Sequence, residues 1–204
     1  MSEKPILFSA PMVRAILAGR KTQTRRLIKF PPWCLENGVP TATVLHNLQH
    51  VGGVAYYSDG QPRKKFCLRW AKGGRLWVKE TWADFSKPGE HDRLVYRATD
   101  TPPAYMAGMS WRPSIYMPRW ASRITLDALG VRVERLRDIS EGDAIAEGIT
   151  DEECCPCSGC DNYRHREAYA VLWDKLNAKR ATWDSNPWVC VVSFRRTVAG
   201  LSRE

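Results

Sequence analysis

The stretch Arg75-Leu76-Trp77-Val78-Lys79-Glu80-Thr81-Trp82, entered from Gly73-Gly74, decides how this chain is read. In extended chain successive side chains point to opposite faces, so Leu76, Val78, Glu80 and Trp82 share one side and Trp77 and Lys79 the other. The first side is apolar and predicts the inward face. It therefore carries a carboxylate, Glu80, into the interior, where an ionised group has to be paired or has to shift its pKa.

Outward from this strand, more strands than helices emerge. Leu94-Val95-Tyr96-Arg97 is a short strand, and Arg123–Ala128 and Val131–Leu136 alternate in period two. Trp188–Phe194 reads as a closing strand buried on both faces. Upstream, Ile6-Leu7-Phe8 is a strand, and Ser9 or Ala10 caps a helix with Pro11 in its first turn. Met12, Val13, Ile16 and Leu17 mark its buried face, and Gly19 stops it. A polar, basic connection through residues 19–26 leads to a strand at Leu27–Phe30. Ser140-Glu141-Gly142-Asp143 opens a short helix, and Tyr169, Leu172, Trp173 and Leu176 line one face of a helix over residues 163–179. Within residues 31–74 the runs Val54–Tyr57 and Phe66–Arg69 predict a hairpin around Asp59-Gly60. The uneven spacing argues for an α+β, mostly β chain built as a small mixed β-barrel with flanking short helices, rather than for a βαβ sheet. It is read as one domain over residues 1–204, with long insertions at 31–74, 99–120 and 150–162.

The 204 residues carry 31 Lys and Arg against 22 Asp and Glu, a net charge of +9, with 44% hydrophobic residues. This excludes a wholly disordered chain. No apolar run approaches a membrane span and the first residues do not read as a signal peptide, so a cytoplasmic location and no membrane partner are expected. The charge is concentrated: residues 1–79 hold 14 Lys and Arg and three acids, and between Glu3 and Glu36 there are seven basic residues and no acid. Such a block attracts phosphate, as nucleotide or nucleic acid, or stands as a solvated basic face.

Lys21 and Thr24 lie three residues apart inside that block, a spacing that brings side chains close in helical or turn geometry. A lysine, a hydroxyl and a carboxylate form a hydrolytic set. A desolvated lysine among other cations can lose its proton and act as a base toward Thr24, while Glu80 orients Lys21 or passes a proton to a leaving amine. The same residues also fit a buried Lys–Glu pair with Thr24 as a turn residue.

Gly19-Arg20-Lys21-Thr22-Gln23-Thr24-Arg25-Arg26 resembles the G-x-K-x-x-T-x-R signature of the ASCH superfamily, and Gly74–Trp82 resembles its G-D-x-L-W-V-(R/K)-E-x-W block, with Arg75 where the family often has Asp. Val131–Ser140 is similar to a later V-x-x-E-x-L-x-D-I-S stretch, followed by Glu147-Gly148-Ile149. Length and tryptophan content resemble the larger phage- or prophage-type members. The resemblance implies a PUA-like β-barrel with a cleft for RNA or a nucleobase. Some small members are amidohydrolases that deacetylate N4-acetylcytidine with a Lys/Thr/Glu set and no catalytic cofactor. Matched by position, that set is Lys21, Thr24 and Glu80. Around it, Trp77 and Trp82 are candidate walls or stacking platforms for a base, and Arg25 and Arg26 candidate phosphate contacts. The alternatives are a non-catalytic RNA- or modified-base-binding module and, lowest in rank, a ribonuclease, for which no histidine pair is placed.

Seven cysteines, four of them between Cys154 and Cys160, do not make a secreted disulfide framework. Cys154, Cys157 and Cys160 with His165 have the spacing of a structural zinc site. A cysteine-rich loop with free thiols and a redox pair are the other readings.

Overall fold

A computed structural model of the chain describes residues 3–50, 54–57, 64–86, 93–100, 110–150 and 165–197. The chain is a mixed α+β structure. Eleven described strands form one five-stranded mixed sheet, in the order Glu3–Leu7, Arg75–Lys79, Thr125–Arg135, Trp188–Arg196 and Gln23–Leu27, and three two-stranded pairs. By contact density the chain divides into two compact units: Met1–Lys21, Gly74–Asp127 and Arg195–Glu204 make the first, Thr22–Gly73 and Ala128–Phe194 the second.

In the first unit, β1 (Glu3–Leu7) runs parallel to β7 (Arg75–Lys79), with Ile6 opposite Val78. The start of β10 (Thr125–Arg135) lies antiparallel to β7, Thr125 opposite Trp77. Leu76, Val78 and Glu80 are buried, as the alternation requires. Helix α1 (Ala10–Leu17) follows β1, burying Val13, Ala15 and Ile16. Gly19, at φ +75°, ends it: its amide donates to the Ile16 carbonyl, and that of Arg20 reaches back to Ala15. A side chain at this left-handed position is strained, which is why glycine closes the helix. The hairpin pair β8 (Trp82–Asp84) and β9 (Leu94–Tyr96) packs Trp82, Tyr96, Met117 and Ala121 together.

In the second unit, β2 (Gln23–Leu27) pairs antiparallel with β11 (Trp188–Arg196), Thr24 opposite Val192 and Arg26 opposite Cys190. The basic connection expected over residues 19–26 is therefore half strand, and the strand placed at Leu27–Phe30 ends at Leu27. The two strands expected around Gly130 are one continuous strand, β10. Between β2 and β7 lie β3 (Leu35–Glu36) and β4 (Val39–Pro40), then α2 (Ala42–His50). The expected strand pair follows as β5 (Val54–Tyr57) and β6 (Lys64–Cys67), Val54 opposite Cys67, with β6 starting two residues before the expected Phe66 and ending at Cys67 instead of Arg69. Helix α3 (Glu141–Ala146) is capped by Ser140, whose hydroxyl accepts from the Asp143 amide. Helix α4 (His165–Asn177) buries Tyr169 and Trp173 against Leu136, Ile139, Val189 and Val191, while Leu176 stays exposed. The chain turns after Asn177, so that position lacks the neighbours met one turn earlier.

Candidate active site

The first unit holds two of the three expected catalytic residues. At the end of the β1–β7 pair the Phe8 amide donates to the Lys79 carbonyl at 3.1 Å, and Glu80 follows directly. The glycine-closed turn after α1 brings the chain back so that the Lys21 amide bonds the Ala15 carbonyl. The Lys21 ammonium then sits 5.7 Å from the centre of the Phe8 ring. Lys21 is 2% exposed and Glu80 1%. Two ionisable side chains are thus withdrawn from water, Lys21 beside the Phe8 ring and Glu80 one residue after the Lys79 carbonyl that Phe8 bonds. Such a burial is costly unless the groups are compensated.

Glu80 is compensated by Arg123. The guanidinium grips the carboxylate with two parallel bonds, Nε to Oε1 and Nη2 to Oε2, both 3.0 Å. The bidentate fork is the strongest arrangement available to this pair. The other side of Arg123 stacks on Tyr96, 4.0 Å from the ring centre. The Tyr96 hydroxyl donates to the Ala121 carbonyl at 2.9 Å, and the Glu80 amide donates to the thioether of Met117 at 3.5 Å. Burial pushes the Tyr96 phenol up; Arg123 opposes this, and Glu80 and Asp100 add to it. Both oxygens of Glu80 are held in fixed directions, and the carboxylate is a positioned acceptor. Arg123 and Tyr96 escaped the sequence reading. Local pattern held no signal for them: Arg123 comes opposite Lys79, one residue from the inward carboxylate, only through the register that sets Thr125 against Trp77.

Thr24, the third expected residue, belongs to the second unit. It is 3% exposed on β2. Its neighbour Arg25 is also buried, and all five of its donor hydrogens have acceptors. Nε and Nη2 reach Glu134 at 2.9 and 2.7 Å, Nη2 also Asp143 at 2.9 Å, and Nη1 both Gln23 and Glu147 at 3.2 Å. The side chain is 0% exposed. The phosphate contact expected of Arg25 has no donor left to make it, and Arg25 is a structural residue of this unit. Arg26 is only partly accessible; burial holds its guanidinium below the usual value, with Glu147 and Tyr169 opposing and Arg69 assisting.

The two tryptophans differ. Trp82, at 1% exposed, packs edge-on against Trp120 at 5.6 Å and has Arg112 5.0 Å from its ring centre. It has no face to offer a base. Trp77 is half-buried, with the Lys79 ammonium at 5.5 Å and the Arg119 guanidinium at 6.0 Å from its ring centre. Of the seven cations between Glu3 and Glu36, Lys4, Arg14, Arg20 and Lys29 are exposed, while Lys21 and Arg25 are interior.

Cys154, Cys157 and Cys160 lie outside the described residues. His165 is buried at the start of α4, its Nδ1 3.6 Å from Glu141. Among the described residues no group of three or more His, Cys, Asp or Glu could hold a metal ion, and no helix is long and apolar enough to cross a membrane. No protein-family model, curated protein or solved structure matches the chain.

Proposed function

We propose that this chain is an amidohydrolase of ASCH type, built on a PUA-like barrel, that removes an acyl group from the exocyclic nitrogen of a cytosine nucleoside such as N4-acetylcytidine. The observation that carries the reading is the burial of Lys21 and Glu80 at one end of the β1–β7 pair, with Glu80 locked by Arg123. Buried ionisable groups held at such expense concentrate at reactive sites.

On this reading Lys21, in its neutral form, is the general base. Thr24, three residues along the chain and assigned by the resemblance, is the nucleophile. Its oxygen forms a bond to the acyl carbon as the carbon–nitrogen bond breaks, and the hydroxyl proton passes through Lys21 to the leaving amine. Water then attacks the acyl-threonine carbonyl, Lys21 accepts its proton and passes it to the Thr24 oxygen as the ester bond breaks, and the free acid leaves. Glu80, immobilised by Arg123, orients the Lys21 ammonium. No metal takes part.

The test is release of cytidine from N4-acetylcytidine by purified protein. Lys21→Ala and Thr24→Val are expected to lower kcat/KM by at least about 10²-fold, the contribution typical of a general base. Absence of turnover in the parent protein, or turnover that survives both changes, rejects the proposal.

The exposed cations Lys4, Arg14 and Arg20 of the first unit favour a second reading, RNA binding without chemistry. Three phosphate contacts to a single strand give a slope of log K against log salt of about −2. A flat salt dependence removes this reading.

A further inference from the structure

The second unit contains a cleft of about 300 Å³ walled by Phe30, Val39, Pro40, Pro187 and Trp188, with Arg135 as its one charged lining residue. Two turns shape it. Asn37 and Gly38, at φ 51° and 79°, reverse the chain between β3 and β4, and Asn186, at φ 43°, presents its carbonyl to Arg135 Nη1 at 3.0 Å. The Asn186 side chain accepts from the Arg137 amide at 2.9 Å, and the Leu136 amide donates to the Pro187 carbonyl at 3.0 Å. The arginine and the tryptophan are thereby fixed from both chain segments, with the guanidinium 4.4 Å from the centre of the Trp188 ring.

Arg135 differs from Arg25, Arg123 and Arg132. Arg25 meets three acids, Arg123 meets Glu80, and Arg132 meets Glu134 and Asp143. Arg135 is half-buried, and among the described residues it makes one hydrogen bond, to a backbone carbonyl, and no ion pair. Its Nε and Nη2 hydrogens, the pair that binds a carboxylate in parallel, are uncommitted. A half-buried cation that pairs with no acid among the described residues, set among lining side chains that are apolar or aromatic, is complementary to an anion with an apolar body. Beyond Arg135 the lining side chains offer one polar atom, the Trp188 indole Nε1, which donates only and is buried in the wall, so an apolar acid fits better than a nucleotide, whose base edge needs both donors and acceptors.

We propose that this cleft binds a small aryl or alkyl carboxylate, its apolar body against Trp188 and Phe30 and its carboxylate on Arg135. The site shares no residue with Lys21, Thr24 and Glu80 and stands apart from the hydrolase reading.

The experiment is calorimetric titration of the full chain with 3-phenylpropionate, its neutral amide 3-phenylpropanamide, and acetate. The acid is expected to bind saturably, the amide at least tenfold more weakly, and acetate without saturable heat. Arg135→Gln brings the acid down to the level of the amide. Val39→Trp, made at a position 51% exposed on β4, fills the cleft and weakens both. Lys21→Ala leaves the titration unchanged. Equal affinity for acid and amide, undiminished binding of the acid by Arg135→Gln, or no saturable binding of the acid overturns the proposal.

Discussion

Arg123 and Arg25 show how differently one residue type can be spent. Arg123 has one carboxylate and one ring; Arg25 has three carboxylates and a side-chain amide. Removing Arg123 leaves the buried Glu80 carboxyl without its partner, so Arg123→Ala is expected to lower unfolding free energy by about 3 kcal/mol, the low end for a broken buried pair. The low end applies because the Arg123 side chain is 27% exposed and water partly replaces it. Urea denaturation measures this, and adding Glu80→Gln should restore most of the loss. An unchanged midpoint for Arg123→Ala would show that the pair contributes nothing. The inward placement of Glu80 was legible from alternation alone. The fate of Arg25 was not, because its acids come from residues 134, 143 and 147, and a basic run looks solvated until the folded chain brings acids to it.

The same acids tie β2, β10 and α3 together within the second unit, and this gives the elements a shared sensitivity to acid. Burial raises the Asp143 carboxyl, but the Gln23 side chain and the guanidinium groups of Arg132 and Arg25 outweigh it, and the net shift is downward. A carboxyl held below its unfolded pKa of about 4 stabilises the fold above that pH and loses the contribution as pH falls through its lower folded value. Unfolding free energies of the parent protein and Asp143→Asn should therefore differ more at pH 7 than at pH 2, with the parent falling more steeply between. Parallel curves would count against the linkage. Among the elements, the α1 helix, the 54–67 hairpin, the Ser140 cap and the β11 strand were all readable, because each rests on local pattern. Helix α2 and the β3–β4 turn were missed, although Asn37-Gly38 is the dipeptide that a two-residue hairpin turn prefers. The extent of β2 was unreadable because Thr24 and Arg25 become interior only through pairing with β11.

At the level of the whole molecule, burial governs which thiols react among the described residues. Cys34 and Cys190 are buried, and burial pushes their thiols up to about 11 and about 12, while Cys67 is exposed. Iodoacetamide at pH 8 should label Cys67 in the native protein and reach Cys34 and Cys190 only as fast as the structure opens. Peptide mass mapping reads this directly; equal labelling of Cys34 and Cys67 would contradict the burial. The α+β class followed from counting strands, whereas the division into two units did not. Each unit is assembled from separate stretches of chain, three for the first and two for the second. Sequence-local pattern carries no trace of such interleaving.

The pairing of β2 with β11 sets a timetable for synthesis. Residues 23–27 leave the ribosome long before residues 188–196 exist to partner them. At about 5–20 residues per second the wait is on the order of ten seconds or more. During that interval the nascent strand carries its arginines toward acids not yet made, and the growing polypeptide depends on solvent, or on a chaperone, to keep that edge from finding another.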